Sequence, residues 1–162
     1  LLRAVVPTVS GVGGLVRELC DRFPVPALVV QGRADKYAAM AAADAAIAAS
    51  GTVALEIALA RLPAVIAYKV SPLTAVLLRA LMLVRYVNLI NLILGREAVP
   101  ERLQYRCTPE ILAAEVEKLL GPAGEVQIRD SAQALAALGA DGAPPSERAA
   151  QAVIDMVRAR AG

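Results

Sequence analysis

The chain contains no histidine and no tryptophan, and only five aromatic residues in 162: Phe23, Tyr37, Tyr68, Tyr86 and Tyr105. Without histidine, the Ser-His-Asp and Cys-His nucleophile schemes and most zinc sites are excluded within this chain. So few aromatics also argue against nucleic-acid binding by base stacking, and no nucleic-acid partner is expected. The two cysteines, Cys20 and Cys107, are too few and too far apart for a metal knuckle or a disulfide framework. They read as small buried hydrophobes in a reducing compartment. The opening Leu1-Leu2-Arg3-Ala4-Val5-Val6 has no initiating Met and no signal-peptide succession, so a piece of a longer protein is expected.

What is present is apolar and small. Hydrophobic residues make up 57% of the chain and charged residues 20%, at a mean hydropathy of +0.56, which excludes disorder as the main state. Ala, Leu and Val carry that fraction, so elements must pack closely around one core. The net charge of +2 is unevenly spread. Between 61 and 106 stand Arg61, Lys69, Arg79, Arg85, Arg96, Arg102 and Arg106 against Glu97 and Glu101 alone, which makes the middle basic and leaves the remainder acidic. The same region holds the apolar run Leu73–Leu94, LTAVLLRALMLVRYVNLINLIL. Arg79, Arg85, Asn88 and Asn91 argue against a membrane span, because charge at a span's centre is costly in lipid. Two readings stay open: an interfacial helix with arginines toward anionic headgroups, and a core-packed helix from which Arg79 reaches out.

Short β-rich runs alternate with helical patterns. Strands are expected at Arg3–Val9, Ala27–Val30, Ala45–Ala48, Ala64–Tyr68 and Tyr86–Asn88, with helices at Gly14–Arg22, Lys36–Ala42, Thr52–Ala60 and Leu73–Val84. That alternation predicts an α/β fold with a parallel sheet and flanking helices. Thr108-Pro109-Glu110 then opens a helix to Leu120, and Ser131–Leu138 and Ser146–Arg160 read as a helical tail around Gly/Pro-rich breaks at 121–124 and 142–145.

In such folds ligands sit at the carboxyl ends of strands, where helix N-termini offer N–H groups to anions. Ser10-Gly11-Val12-Gly13-Gly14 opens like a dinucleotide fingerprint, but Val16 stands where the third glycine belongs, and the nearby acid, Asp35, falls in apparent loop. Residues 45–56, AAIAASGTVALE, are more informative. Gly51 lets a ligand approach the backbone, Ser50 and Thr52 add hydroxyls, and Glu56, the one charge in VALEIALA, could accept both hydroxyls of a ribose. The alternative is an ordinary helix cap with a solvated Glu56. Residues 86–104, YVNLINLILGREAVPERLQ, set Asn88, Asn91 and Arg96 in an apolar run, where they must satisfy local backbone or face a polar ligand such as a diphosphate.

Taken in order, ASGTVALE, LPAVIAYKVSPLT, YVNLINLILGREAVPERLQ and CTPE closely resemble the carboxy-terminal half of the lipid-A-disaccharide synthases, bacterial inverting glycosyltransferases of the GT-B fold. The resemblance spans Val5–Leu120 and the alanine-rich tail. It implies a Rossmann-like, UDP-donor-binding lobe at 1–120 followed by a helical tail at 121–162. By motif, Ser50, Gly51 and Thr52 would line the diphosphate, Glu56 would take the ribose, Arg96 would balance phosphate charge or orient its loop, and Asn91 would be catalytic, near the diphosphate or reacting sugar. Gln31-Gly32 would approach the uracil. One departure stands in the third motif, where Asn88-Leu89-Ile90-Asn91 replaces the family's usual SLPN and so loses a proline.

The implied reaction joins UDP-2,3-diacylglucosamine to 2,3-diacylglucosamine 1-phosphate for lipid A, the lipid anchor of lipopolysaccharide, with no metal or other cofactor. The acceptor site and general base would lie in a missing amino-terminal half, so this chain alone should not turn over. The implied setting is cytoplasmic and peripheral, on the inner-membrane surface, with self-association through any uncovered apolar face. The competing class is a non-catalytic nucleotide- or membrane-binding module, and an NAD-dependent oxidoreductase survives only through the Ser10–Gly14 turn.

Overall fold

A computed structural model describes residues 2–49, 51–71, 85–139 and 142–161. Two parallel units make up the frame. In the first, β1 (Ala4–Thr8) leads through a short 3-10 turn into α1 (Gly13–Cys20), and β2 (Ala27–Gln31) returns beside β1 with Ala4 opposite Ala27 and Thr8 opposite Gln31. Then α2 (Arg33–Ala42) leads to the second unit, a three-stranded sheet in the order β3 (Ala46–Ala48), β4 (Ala64–Tyr68), β5 (Glu101–Leu103), all parallel. These βα crossovers are the expected α/β, Rossmann-like architecture.

The middle strand explains the apolar run PAVIAY. With neighbours on both edges and helices on its faces, β4 leaves Val65 and Ile66 essentially without exposed surface. Against it lies α3 (Val53–Leu59), which buries Ala54, Ile57 and Ala58. Its two alanines permit close approach to Ile66, and α4 (Leu89–Leu94) adds Ile90 to the same cluster. A second cluster joins Met40 of α2 to Ile57, Leu62 and Ala64, linking the two units.

Three sequence expectations are corrected: the strand at Tyr86–Asn88, the placement of Asp35 and the break at 121–124. Tyr86–Asn88 is not a strand. The Asn88 side chain accepts the Ile90 N–H at 2.8 Å as the N-cap of α4, and Glu101 accepts the Val87 and Asn88 N–H groups, so side chains take the donors that a ladder would use. The last strand is Glu101-Arg102-Leu103, whose charges disguise it because both are buried and paired inside the fold. Asp35 sits in the first turn of α2 rather than in loop. The expected helix at Leu73–Val84, with Arg79, lies outside the described residues.

Beyond β5, α5 (Pro109–Leu119) starts as read, with Thr108 capping the Ile111 N–H and Pro109 in the first turn. The break before α6 (Pro122–Ala137) is tighter than 121–124, since the helix begins at Pro122. Gly124 is inside it because a Cβ there would collide with the Leu119 carbonyl oxygen. The helix is sewn to the sheet by Gln127, whose side chain accepts the Ala64 N–H at 2.6 Å and donates to the Ala64 carbonyl at 2.9 Å, and by fully buried Ala134. By contrast α7 (Pro145–Ala161) leaves Val153, Ile154, Met156 and Val157 exposed. Among the described residues, no helix is long and apolar enough to cross a membrane.

Candidate functional site

The carboxyl ends of the strands carry the polar groups singled out from sequence. After β3, Gly51 has φ 139°, a conformation that side chains rarely adopt, and Thr52 leads into α3 without making a side-chain cap. Ser50 lies outside the described residues. One turn along, Glu56 is part-buried and engaged on both oxygens: Lys36 Nζ of α2 donates to Oε1 at 2.8 Å and to Oε2 at 2.9 Å, and Tyr37 Oη donates to Oε1 at 3.1 Å. The Lys36 hydrogen bond holds the Glu56 carboxyl below its ordinary pKa, with Tyr37 helping and burial opposing. Lys36 Nζ and the Arg33 guanidinium also lie over the Tyr37 ring, 4.9 and 5.7 Å from its centre.

This cluster joins α2 to α3 at the strand ends, and sequence reading had only half of it. The available signal was the Arg33, Lys36, Tyr37 spacing on one face of a helix that starts straight after Gly32, itself at φ 95°. The neighbouring turns also meet. A Cβ on Gly13 would run into the Gln31 amide, so that glycine admits the Gln31 side chain and brings the Ser10–Gly14 turn against the end of β2.

Asn91 lies within α4. It has no exposed surface, and its amide is consumed locally: Nδ2 donates to the Val99 carbonyl at 2.7 Å and to Glu101 Oε1 at 2.8 Å, while Oδ1 accepts the Ala98 and Val99 N–H groups, each at 2.8 Å. Both ends of the side chain therefore hold the loop between α4 and β5, and no polar atom is left to touch a sugar or diphosphate. Glu101, which the sequence did not flag, completes the frame by accepting from Val87 N, Asn88 N and Asn91 at once.

Arg96 is likewise committed. Its guanidinium forms a two-pronged pair with Asp130 of α6, at 2.8 and 2.6 Å, which raises the Arg96 pKa and lowers that of Asp130. The pair ties the loop before β5 to α6 and leaves the Arg96 side chain 52% exposed. Chemically, then, the α2–α3 cluster offers a carboxylate, cations and an aromatic hydroxyl at an accessible strand end, whereas the Asn91 frame offers rigidity. Among the described residues no group of three or more acidic or cysteine side chains is placed to hold a metal.

Comparison with known proteins adds a lineage to this geometry. The family model described as lipid-A-disaccharide synthetase matches residues 21–152. A lipid-A-disaccharide synthase of Rhodospirillum centenum is 51% identical over 161 residues, covering 98% of this chain and 40% of that protein. One from Paramagnetospirillum magneticum is 48% identical, covering 97% of this chain and 41% of its own length, and one from Myxococcus xanthus is 37% identical, covering 96% and 40%. The chain thus spans about two fifths of the length of these relatives.

Proposed function

The chain belongs to the lipid-A-disaccharide synthase family, and from that premise we propose that it is the donor-binding lobe of a glycosyltransferase that moves 2,3-diacylglucosamine from UDP to 2,3-diacylglucosamine 1-phosphate. The single observation that carries this reading is the α2–α3 cluster: a carboxylate at the strand ends, one turn beyond Gly51 and Thr52, with cationic side chains beside it.

In the proposed reaction, a base in the remaining part of the protein removes the proton from the acceptor 6-hydroxyl. That oxygen attacks the anomeric carbon of the donor, and the bond to UDP breaks on the opposite face, with UDP leaving as the anion. The work of this lobe is to hold that leaving group. Ser50, Gly51 and Thr52 meet the diphosphate, and Glu56 accepts from the ribose. Asn91 and Glu101 act by positioning the loop before β5, and Arg96 ties that loop to α6. The reaction belongs to both halves together, so this chain alone is inactive. The basic, apolar residues ahead of α4, which include Arg79 and Arg85, serve as the contact with the cytoplasmic face of the inner membrane, where acylated substrates reside, while the end of that run is taken into the core through Asn88, Ile90 and Asn91.

Titration calorimetry of the folded chain with UDP, with NAD as control, tests the reading. UDP is expected to bind and NAD not, and Glu56→Ala is expected to weaken UDP by about tenfold or more, the worth of charge-assisted bonds to a ribose. Equal affinity of the variant and the parent for UDP would remove Glu56 from the site. Binding of NAD that is lost on Gly13 substitution but kept in Glu56→Ala would instead favour the dinucleotide turn.

A further inference from the structure

The Glu56 carboxylate is already occupied on the face that a ribose needs. A single ammonium nitrogen lies 2.8 Å from one oxygen and 2.9 Å from the other, so Lys36 sits between the two oxygens, and Tyr37 takes a further position on Oε1. A carboxylate offers roughly four acceptor positions, of which three are used here. A vicinal diol binding through both hydroxyls approaches along the same line between the oxygens. Lys36 and the diol therefore compete for one place.

We propose that Lys36 is a partner-exchanging residue of the nucleotide site: in the empty protein it closes on Glu56, and when a nucleoside diphosphate binds it gives Glu56 up to the ribose and turns to the diphosphate. The inference rests on the reading of this cluster as a nucleotide site and adds the residue that makes it select the diphosphate. Three features of the structure support the exchange. The Lys36 side chain is about a third exposed, at 29%, so the ammonium leaves Glu56 into water rather than into an apolar interior. It is carried on a flexible four-carbon stem from the first turn of α2, directly after Gly32 at the end of β2, where a strand-end ligand lies. The Arg33 guanidinium stands beside the same Tyr37 ring, so positive charge is concentrated where the ammonium would turn.

The exchange has a consequence for selectivity. A nucleoside without phosphates displaces Lys36 and gives its charge nothing in return. A nucleoside diphosphate displaces it and supplies a stronger anion. Lys36 then penalises uridine and rewards UDP, and the ratio of the two affinities reads its action.

The experiment titrates uridine and UDP into the parent, Lys36→Met, Lys36→Arg and Tyr37→Phe proteins, with a thermal melt of each to confirm folding. Lys36→Met keeps the apolar stem and removes the charge. It is expected to tighten uridine and weaken UDP, lowering the UDP-to-uridine affinity ratio by about tenfold, the worth of one charge-assisted bond. Lys36→Arg should restore most of the ratio, and Tyr37→Phe should leave it within about twofold, because that change removes a bond without removing the competing charge. If uridine and UDP weaken together by the same factor in Lys36→Met, the lysine only shapes Glu56 and the exchange is overturned. If the folded parent binds neither ligand, the nucleotide-site reading itself falls, an outcome distinct from an unmoved ratio.

Discussion

Asn91→Ala is expected to cost about 3–5 kcal/mol of folding stability, a large share of the roughly 5–15 kcal/mol that holds a domain together. The side chain is fully buried and makes four hydrogen bonds to three neighbouring groups of the α4–β5 loop and to Glu101. Truncation leaves the Val99 N–H and carbonyl without partners and takes one of three donors from the Glu101 carboxylate. Buried polar groups deprived of partners cost more than the bonds themselves contribute. Asn91→Asp is expected to be at least as damaging, because it would point an oxygen at two acceptors now 2.7 and 2.8 Å away. Thermal or urea unfolding reads both. A variant that melts like the parent yet loses activity in the intact enzyme would return Asn91 to a direct catalytic role.

Arg102→Ala is expected to be of similar size, about 3–5 kcal/mol, the usual consequence of breaking a buried ion pair, since it leaves Glu115 only the exposed Lys118 as a cationic partner. Arg102 is 7% exposed and donates to Glu115 through Nε at 3.2 Å and Nη2 at 2.9 Å, to Glu97 at 3.0 Å and to the Glu101 carbonyl at 3.0 Å. Burial pushes the Glu115 carboxyl up, but Arg102 and Lys118 outweigh it and hold the group below its ordinary pKa. A lowered folded pKa means that the unfolded chain binds the proton more readily. This stabilisation is therefore present above the ordinary carboxylate range and is lost as pH falls through the lowered folded value. Replacing both partners, as in Arg102→Met with Glu115→Leu, should recover most of the loss, because the desolvation cost disappears with the charges. Chemical denaturation of the single and double variants at neutral pH measures this, and a double variant no more stable than Arg102→Ala would show that the pair contributes more than charge compensation.

The same two sites show where sequence reading reaches its limit. Alternation and turn residues placed β1 to β4 and α1 to α3 within a few positions, because each is signalled locally by Pro, Gly or an apolar period. β5 was hidden because Glu101 and Arg102 look like surface, and their burial depends on Glu115, Glu97 and Asn91, brought together only by the fold. Conversely, Tyr86–Asn88 has strand-like composition, and only the cap on Ile90 shows that the chain turns there. The amides in YVNLINLIL, set in an apolar run, need either backbone or ligand partners. For Asn91 the backbone and Glu101 won.

At the candidate site, Glu56 was legible as a lone charge on an apolar helix, and Gly51 as the glycine of a strand-to-helix turn. Lys36 and Tyr37 were not, because a lysine on an amphipathic helix ordinarily faces water, and their bonds to Glu56 span 20 and 19 positions of chain. Gln127 was invisible for the same reason. Its pairing with both backbone groups of Ala64 crosses 63 positions and holds α6 against the sheet.

The central claim, that nucleotide binds at the α2–α3 strand-end cluster, is tested most directly by amide hydrogen exchange on the intact protein with and without saturating UDP. Slowed exchange at residues 51–56 and 33–37, with α7 unchanged, is the predicted result. Saturation by UDP without slowed exchange at 51–56 would contradict it and place the nucleotide elsewhere.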